Sequence, residues 1–444
     1  MARFHLISLG CAKNLVDSEV MLGSMASGGW ELIDNPDDAD LLILNTCGFI
    51  QPAVEEAINE IFELVRIKER SPDKKIVVVG CLVQRYKDKL PEDLPEVDLF
   101  LGTEGAADIA KYIAQLENGD LLERVLLPDR ILMSSNTPRV ISTPVFRSWL
   151  KITEGCDNRC SYCMIPTIRG QLRSRTVDDL TQEAKSLQEY GVKELSLIAQ
   201  DSTAYGNDLG KGQNIVHLME QLLKRTSIQW LRLLYLYPTG VSDELLHLMA
   251  DNPRLVPYLD IPMQHVSDKI LRSMNRRYSS EQLYTTIDRI RTILPDIALR
   301  TTFLVGFPGE TESDFLELET FLKKMHIDHV GVFPYANEEG CPSETFVNQL
   351  PEEEKMRRRD YLLDLQSGLS ATIQKKYIGT VQPVLVEGVS RETDLLLEGR
   401  TRYQAPEVDG CVYINDGVAS PGDIVQVQIT ETQVYDLIGG IIQR

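Results

Sequence analysis

No stretch of this 444-residue chain is long and apolar enough to cross a bilayer. Runs such as residues 76–79 end far short of the roughly 20 apolar residues that a spanning helix needs. No signal-peptide pattern follows Met1-Ala2-Arg3. Positive charge is also scarce: 46 Lys and Arg stand against 66 Asp and Glu, a formal net charge of −20. That balance disfavours nonspecific attraction to nucleic-acid phosphates and suits a basic partner. Cysteine is sparse, eight residues in all. With no export signal, these read as ligands or packed thiols in a reducing, cytoplasmic setting rather than as disulfides. An ordinary apolar share of 43% over this length supports two or three domains with cores of their own.

Three of the eight cysteines fall within eight residues, in Gly155-Cys156-Asp157-Asn158-Arg159-Cys160-Ser161-Tyr162-Cys163. Positions i, i+4 and i+7 share one face of a helix, but Gly155, Asp157-Asn158 and Pro166 favour turns and oppose a helix there. Structural zinc commonly takes four ligands, and no second Cys-x-x-Cys arm lies nearby. Thiolates are the usual protein ligands of iron–sulfur clusters, so three of them predict a four-iron cluster with one iron left open.

The spacing Cys-x-x-x-Cys-x-x-Cys, with an aromatic before the last cysteine, resembles that of the radical S-adenosylmethionine (SAM) enzymes. The resemblance implies that the open iron chelates SAM and that an electron from the cluster cleaves it to a 5′-deoxyadenosyl radical, while the protein positions and shields the chemistry.

Upstream, strand-like runs at 4–8, 41–44, 76–79 and 97–101 alternate with helical patterns such as 52–69, whose proline suits a first turn. This predicts a parallel sheet covered on both faces over residues 1–118. Ligand sites in such sheets gather at the carboxyl ends of strands. Cys11, Cys47 and Cys81 each stand at or just beyond such an end, which predicts a second three-thiolate site. An upstream trio paired with the radical-SAM trio resembles the methylthiotransferases, which implies a second 4Fe-4S cluster. Within them, Ser8-Leu9-Gly10-Cys11-Ala12-Lys13-Asn14-Leu15-Val16-Asp17-Ser18-Glu19 is similar to the RimO branch, which modifies small-subunit ribosomal protein twelve. The tRNA-modifying MiaB-type branch usually has Gly-Cys-Gln-Met-Asn there, and this chain does not.

Residues 119–146, with Pro128, Pro138 and Pro144 and no clear period, read as a linker. Over 147–378, strand candidates at 149–153, 194–199, 230–236, 258–261, 298–305 and 329–333 alternate with helical stretches such as 177–189, 280–293 and 312–324. By the resemblance this is a (βα)6 partial barrel, with its chemistry on loops at the carboxyl ends of the strands. Those loops carry Gln200-Asp201-Ser202, Tyr237-Pro238-Thr239-Gly240, Met263-Gln264-His265 and Gly306-Phe307-Pro308-Gly309-Glu310-Thr311. Tyr162, Gln200, Gly306 and Pro308 are the candidate SAM contacts, with Tyr162 and the Gly306 loop best supported by the resemblance. Arg169, Arg173 and Arg175 read either as a solvated face or as a receptor for the SAM carboxylate or an acidic side chain, and Arg173 is the candidate among them. His265 reads as a packed residue, and Cys341 as an incidental thiol.

After a charged helix at 352–376, short β-rich runs at 381–386, 394–397, 412–414 and 424–429 predict a small barrel over 379–444. Its position, and Gly399-Arg400-Thr401-Arg402, resemble a TRAM domain, an OB-like barrel often used on RNA. Here ten acidic residues face four basic ones, a net of −6, which points to a basic protein rather than to RNA. The fold expected is α/β with these three parts. The function the resemblance implies is methylthiolation of an aspartate β-carbon of the ribosomal protein, with two 4Fe-4S clusters, SAM and an electron donor, and without direct tRNA binding. The alternatives are a MiaB-type tRNA methylthiotransferase and a non-enzymatic iron–sulfur electron carrier or scaffold.

Overall fold

Strands without polar alternation need cover on both faces, and the runs Leu41-Leu42-Ile43-Leu44 and Ile76-Val77-Val78-Val79 find it. In the computed structural model, which describes residues 2–442, they lie in a six-stranded parallel sheet. Its strands are Arg3–Ser8 (β1), Glu31–Leu32 (β2), Leu41–Thr46 (β3), Lys75–Gly80 (β4), Leu99–Leu101 (β5) and Val125–Leu126 (β6), in the order β2-β1-β3-β4-β5-β6. Helix Ala12–Ser27 (α1) packs Met21 and Met25 on one face, against Ile43 and Val77. Helix Gln51–Arg70 (α2) packs Ile61 and Leu64 on the other, against Leu44 and Val78.

The sequence pattern revealed α2 but not α1, and burial explains why. Asn14, Asp17, Ser18 and Glu19 of α1 are all buried, so no polar face marks the helix. β6 also falls in the stretch read as a linker and extends the first sheet. The rest of that stretch crosses to the next domain, and its Arg139 bridges the two, bonding Glu19 of α1 at 2.6 Å and Glu183 of the central part at 2.5 Å.

The central part opens with Arg147–Lys151 (β7). The next turn of chain is a separate antiparallel ribbon, Thr153–Glu154 (β8) with Arg173–Ser174 (β9), which closes the base of the loop carrying Cys156, Cys160 and Cys163. Glu194–Ile198 (β10), Trp230–Leu233 (β11), Leu255–Asp260 (β12), Ala298–Val305 (β13) and His329–Pro334 (β14) follow. They form one parallel sheet with β7, each strand beside its predecessor. Helices such as Val177–Tyr190, Ser280–Ile293 and Glu312–Met325 cover the convex face. The concave face carries Trp149, Trp230 and Tyr258, which pack with Val16 of α1 and with Leu385 and Ala405 of the last domain.

That last domain is a closed five-stranded barrel: Val381–Val389 (β15), Leu397–Thr401 (β16), Val412–Asp416 (β17), Ile424–Thr432 (β18) and Leu437–Ile441 (β19), in the order β15-β16-β17-β19-β18. The strand expected at 394–397 begins only at Leu397, because Leu395 stands 89% exposed in the preceding turn. β19 was not expected, since Gly439-Gly440 hides it. Gly439 is required all the same: a Cβ there would lie 2.2 Å from the Gln428 carbonyl oxygen.

A buried carboxylate fastens this barrel to the concave sheet. Glu194 accepts from Arg232 Nε at 2.7 Å and from Arg400 Nη2 at 2.6 Å, with all three side chains buried. Burial alone would raise its pKa, but Arg400 and then Arg232 outweigh burial and hold it at about 2. A folded pKa below the unfolded value stabilises the fold above about pH 4.3, and that contribution fades as pH falls towards 2. Glu194→Ala leaves the buried Arg232 with no carboxylate and Arg400 with Glu387 alone, and should cost about 3–5 kcal/mol. Denaturant unfolding of the two proteins at pH 7 measures that cost, and a difference below about 1 kcal/mol would show that the ion pairs do not anchor the barrel.

Candidate active site

Three adjacent parallel strands deliver the first trio. Cys47 and Cys81 directly follow β3 and β4, and Cys11 follows β1 after Leu9-Gly10. Gly10 has φ +93°, and a Cβ there would press to 3.0 Å on Cys47 Cβ, so only glycine lets the first and second cysteines come together. Cys11 is the amino-terminal cap of α1, at the positive end of the helix dipole.

The second trio sits on an irregular loop between β8 and β9 and is not helical. Gly155, at φ +76°, lies so near Gln171 that a Cβ would meet its carbonyl oxygen at 2.1 Å. The loop is pinned by its own polar groups. Cys156 N donates to Gly170 O at 3.0 Å, and Leu172 N donates to Asp157 Oδ1 at 3.0 Å. Ser161 N donates to Met274 O at 3.0 Å, and Asn158 Nδ2 donates to Asp201 Oδ2 at 2.7 Å.

Both trios open onto one cavity of about 370 Å3 between the amino-terminal sheet and the carboxyl ends of the central strands. Cys11 is exposed, but it faces this cavity. Of the predicted contacts, Tyr162 and Gln200 line the cavity. Gln200 donates to Glu154 Oε1 at 3.0 Å, and its own Oε1 is buried without a partner, which leaves an acceptor for an incoming donor.

Arg173, Gly306 and Pro308 are not among the residues that line this cavity. Arg173 is bound to Glu104 of the amino-terminal domain at 2.7 Å. Gly306 abuts Lys355 of the long helix Glu352–Gln374, where a Cβ would meet Lys355 Cγ at 2.4 Å. The loop that holds Gly306 and Pro308 is tied to that helix through Glu310 and Arg358 at 2.7 Å. The arginine run is not a solvated face: each of the three side chains meets a carboxylate of the chain itself. Arg175 is buried against Asp179 and Glu183. Arg169 is buried against Asp17 at 2.6 Å and Glu154 at 3.3 Å, and donates to Cys81 Sγ at 3.2 Å.

His265 is a packed residue, as expected. Its Nδ1 accepts from Ser267 N at 2.9 Å, and burial lowers its pKa to about 3. Cys341 is buried beside Cys81, Met164 and Ile168, closer to the site than its sequence context suggests.

Other wall residues had no individual signal in the sequence: Lys13, Tyr235 and Arg276. Arg276 Nη1 donates to Cys160 Sγ at 3.5 Å and stacks its guanidinium on Tyr237, 4.3 Å from the ring centre. Tyr235 and Gln264, both on the wall, hold φ of +61° and +68°. Such backbone is costly for non-glycine residues and collects at functional sites.

The donor sets fit iron–sulfur clusters. Among the described residues no three Cys, His, Asp or Glu side chains close around one point as a single ion requires. Thiolates that each bind a different iron of a cluster stand farther apart. Burial raises the pKa of Cys47, takes Cys156 to about 11 and Cys81 to about 12, and lifts Cys163 as well. Bare thiolates there are costly, and a cationic centre is what offsets that cost. Cys11 is the exception. The surrounding cavity walls desolvate its thiol and oppose ionisation, but Lys13, the Asn14 backbone N–H and Arg169 together lower its pKa.

Comparison with known proteins divides the chain in the same way. Residues 3–102 match the uncharacterized protein family UPF0004, residues 150–322 the Radical SAM superfamily and residues 378–442 the TRAM domain. A Desulfotalea psychrophila protein named ribosomal protein uS12 methylthiotransferase RimO is 62% identical over 440 residues, covering 99% of each chain. Proteins of the same name from Anaeromyxobacter sp. (strain K) and Syntrophus aciditrophicus are 47% and 44% identical, covering 100% and 99% of this chain and 94% and 98% of theirs. Among solved structures, the radical SAM methyltransferase TsrM from Kitasatospora setae, with tryptophan and a SAM analogue bound, aligns at TM-score 0.58 and 14% identity. That alignment covers 88% of this chain and 79% of TsrM, a likeness of fold.

Proposed function

This chain belongs to the RimO family of ribosomal protein uS12 methylthiotransferases, and from that premise we propose that its two cysteine trios hold two 4Fe-4S clusters over a single aspartate side chain of uS12. It is a radical SAM enzyme, so SAM and one 4Fe-4S cluster belong to its chemistry. The carrying observation is that two trios on different domains face one cavity. Cys156, Cys160 and Cys163 hold the cluster that binds SAM, and Cys11, Cys47 and Cys81 hold the second. When bound, these groups supply one-electron cleavage of SAM, abstraction of hydrogen from carbon, and a sulfur that can be methylated and transferred. An unactivated C–H bond offers no acid–base route, which accounts for a radical site.

The chain's own residues prepare the reaction. The polar contacts of the loop fix the three thiols before anything binds, and Tyr162 and the stacked Arg276–Tyr237 pair wall off the SAM side from water. Arg169 and Arg276 each direct an N–H at a ligand sulfur, a contact that adjusts the reduction potential of a bound cluster. Electrons come from a donor protein or reductant of the cytoplasm. The tRNA and electron-carrier alternatives are set aside, since full-length relatives at 44–62% identity bear the uS12 name.

The terminal barrel is where uS12 is met. Of its ten acidic residues, Glu387, Glu407, Asp409 and Asp423 are spent on Arg147, Arg300, Arg400 and Lys193 of this chain. Arg400 and Arg402 turn inward, onto Glu194 and the Pro253 carbonyl. The exposed positions of the barrel therefore keep Glu392, Asp394, Asp416 and Glu431, with Glu398 half-buried, against Arg391 among the described residues, and stay acidic. A protein that normally binds RNA is basic, so complementary charge steers it to this face, whereas tRNA phosphate would be repelled.

One assay tests both parts. Reconstituted enzyme, SAM and reductant should add a methylthio group to uS12 and none to tRNA, as read by mass. Changing Glu392, Asp394 and Glu398 to Lys should slow uS12 modification about tenfold or more at low salt, with the difference shrinking as salt rises. Modified tRNA with unmodified uS12 would overturn the substrate, and equal rates in the charge variant would overturn the docking face.

A further inference from the structure

Lys13 stands on the seam between the two trios. It lies two residues after Cys11, at the start of α1, and its side chain leaves the amino-terminal domain for the mouth of the central barrel. There Nζ donates to Ala199 O, just past β10, at 3.3 Å and sits 3.5 Å from the centre of the Tyr235 ring. An ammonium has three donors, and among the described residues this one has a single long hydrogen bond and no carboxylate within ion-pair distance.

The other cations of the wall are committed. Arg169 is held by Asp17 and Glu154, and Arg276 by Tyr278 Oη at 2.6 Å and Pro262 O at 2.7 Å. The carboxylate on the wall, Asp201, is taken by Asn158 and Thr203. The cavity therefore offers one positive charge with no carboxylate bound to it, set against a strained tyrosine at φ +61° and beside Cys11, whose ionisation it favours.

We propose that Lys13 binds the carboxylate of the substrate's reacting side chain and so makes the site selective for an acid. This rests on the reading of the six cysteines as the reaction site. The geometry favours the substrate over the carboxylate of SAM. Lys13 springs from the helix that Cys11 caps, and its ammonium reaches the ends of β10 and β11 between the trios, where a side chain entering from solvent must be stopped. A carboxylate bound there lies in the cavity that both trios line. Selectivity follows from the cost of the mismatch: a neutral amide would leave the ammonium unpaired in a low-dielectric cavity.

The test is a double-mutant cycle on binding, with full-length reconstituted enzyme and uS12 as the probe. Titration of fluorescent uS12 in the presence of SAM gives Kd for wild type, Lys13→Met, Lys13→Gln and Lys13→Arg. Each is measured with native uS12 and with uS12 whose target aspartate is changed to asparagine. Lys13→Met and Lys13→Gln should weaken binding of native uS12 about 10- to 100-fold, and Lys13→Arg clearly less. With the asparagine form, the penalty of Lys13→Met should fall to about threefold or less. Iron content and the arginine variant report on folding.

Additive losses in the cycle would overturn the assignment, as would a loss of SAM affinity matching the loss for uS12, which would place the ammonium on SAM. If wild-type enzyme neither binds nor modifies uS12, the functional reading itself fails. If it does both and the cycle is additive, only the role of Lys13 falls.

Discussion

Changing Cys156, Cys160 and Cys163 together to alanine should abolish reductive cleavage of SAM and remove about half of the bound iron, since one of two equal clusters is lost. The argument begins with what the thiols do not do. The loop's shape rests on Gly155 against Gln171, Asp157 on the Leu172 amide, Ser161 on Met274, and Asn275 Nδ2 on Arg159 O at 2.6 Å. None of these involves a cysteine sulfur, so the variant should keep its fold and lose only its chemistry. What the thiols supply is three ligands in a place that resists bare charge, with Cys156 pushed up to about 11 by burial. Iron and sulfide assays, with 5′-deoxyadenosine measured after dithionite reduction, decide it. Undiminished 5′-deoxyadenosine would mean that SAM is cleaved elsewhere.

The parts of this site that the sequence displays are those where one residue type has one use. Three cysteines in eight residues, and three more at strand ends, mark the ligands because thiolates recur at fixed intervals. The buried strands β3, β4 and β13 show as apolar runs or alternation for the same local reason. What the pattern hides is decided by tertiary contact. Helix α1 is masked because its buried side includes Asn14, Asp17 and Glu19, and the last two find their partners, Arg169 and Arg139, outside the amino-terminal domain. Arg169, Arg173 and Arg175 look alike in sequence, yet one bridges to a ligand cysteine, one reaches Glu104 and one is locked in its own domain. The Gly306-Phe307-Pro308 loop carries a turn signature that fits a ligand loop and a packing loop equally, and its contacts with Lys355 and Arg358, in a helix some fifty residues on, are not visible in that signature. Lys13, Tyr235 and Arg276 acquire meaning only when α1 is laid over the mouth of the barrel.

The converse substitution separates the two trios. With Cys11, Cys47 and Cys81 changed to alanine, the enzyme should still yield 5′-deoxyadenosine on reduction, yet attach no detectable methylthio group to uS12. These cysteines sit on β1, β3 and β4 of a sheet with its own two-sided core, and alanine is small enough to be accepted at each strand end. Of the contacts that pin the radical-SAM loop, those through Asp157, Ser161 and Arg159 stay within the central domain. A direct thread between the sites, Arg169 to Cys81, loses its sulfur acceptor but keeps Asp17 and Glu154. SAM cleavage therefore has no reason to fail, while sulfur transfer loses the only other trio of thiols on the cavity wall among the described residues. The retained iron should again be about half, now all on the central trio. The readouts are the mass of uS12 after incubation and the metal content of the anaerobically purified variant beside wild type. Zinc in place of iron and sulfide at the first trio of the wild-type protein, or methylthiolated uS12 from the variant, would show that the sulfur comes from somewhere else.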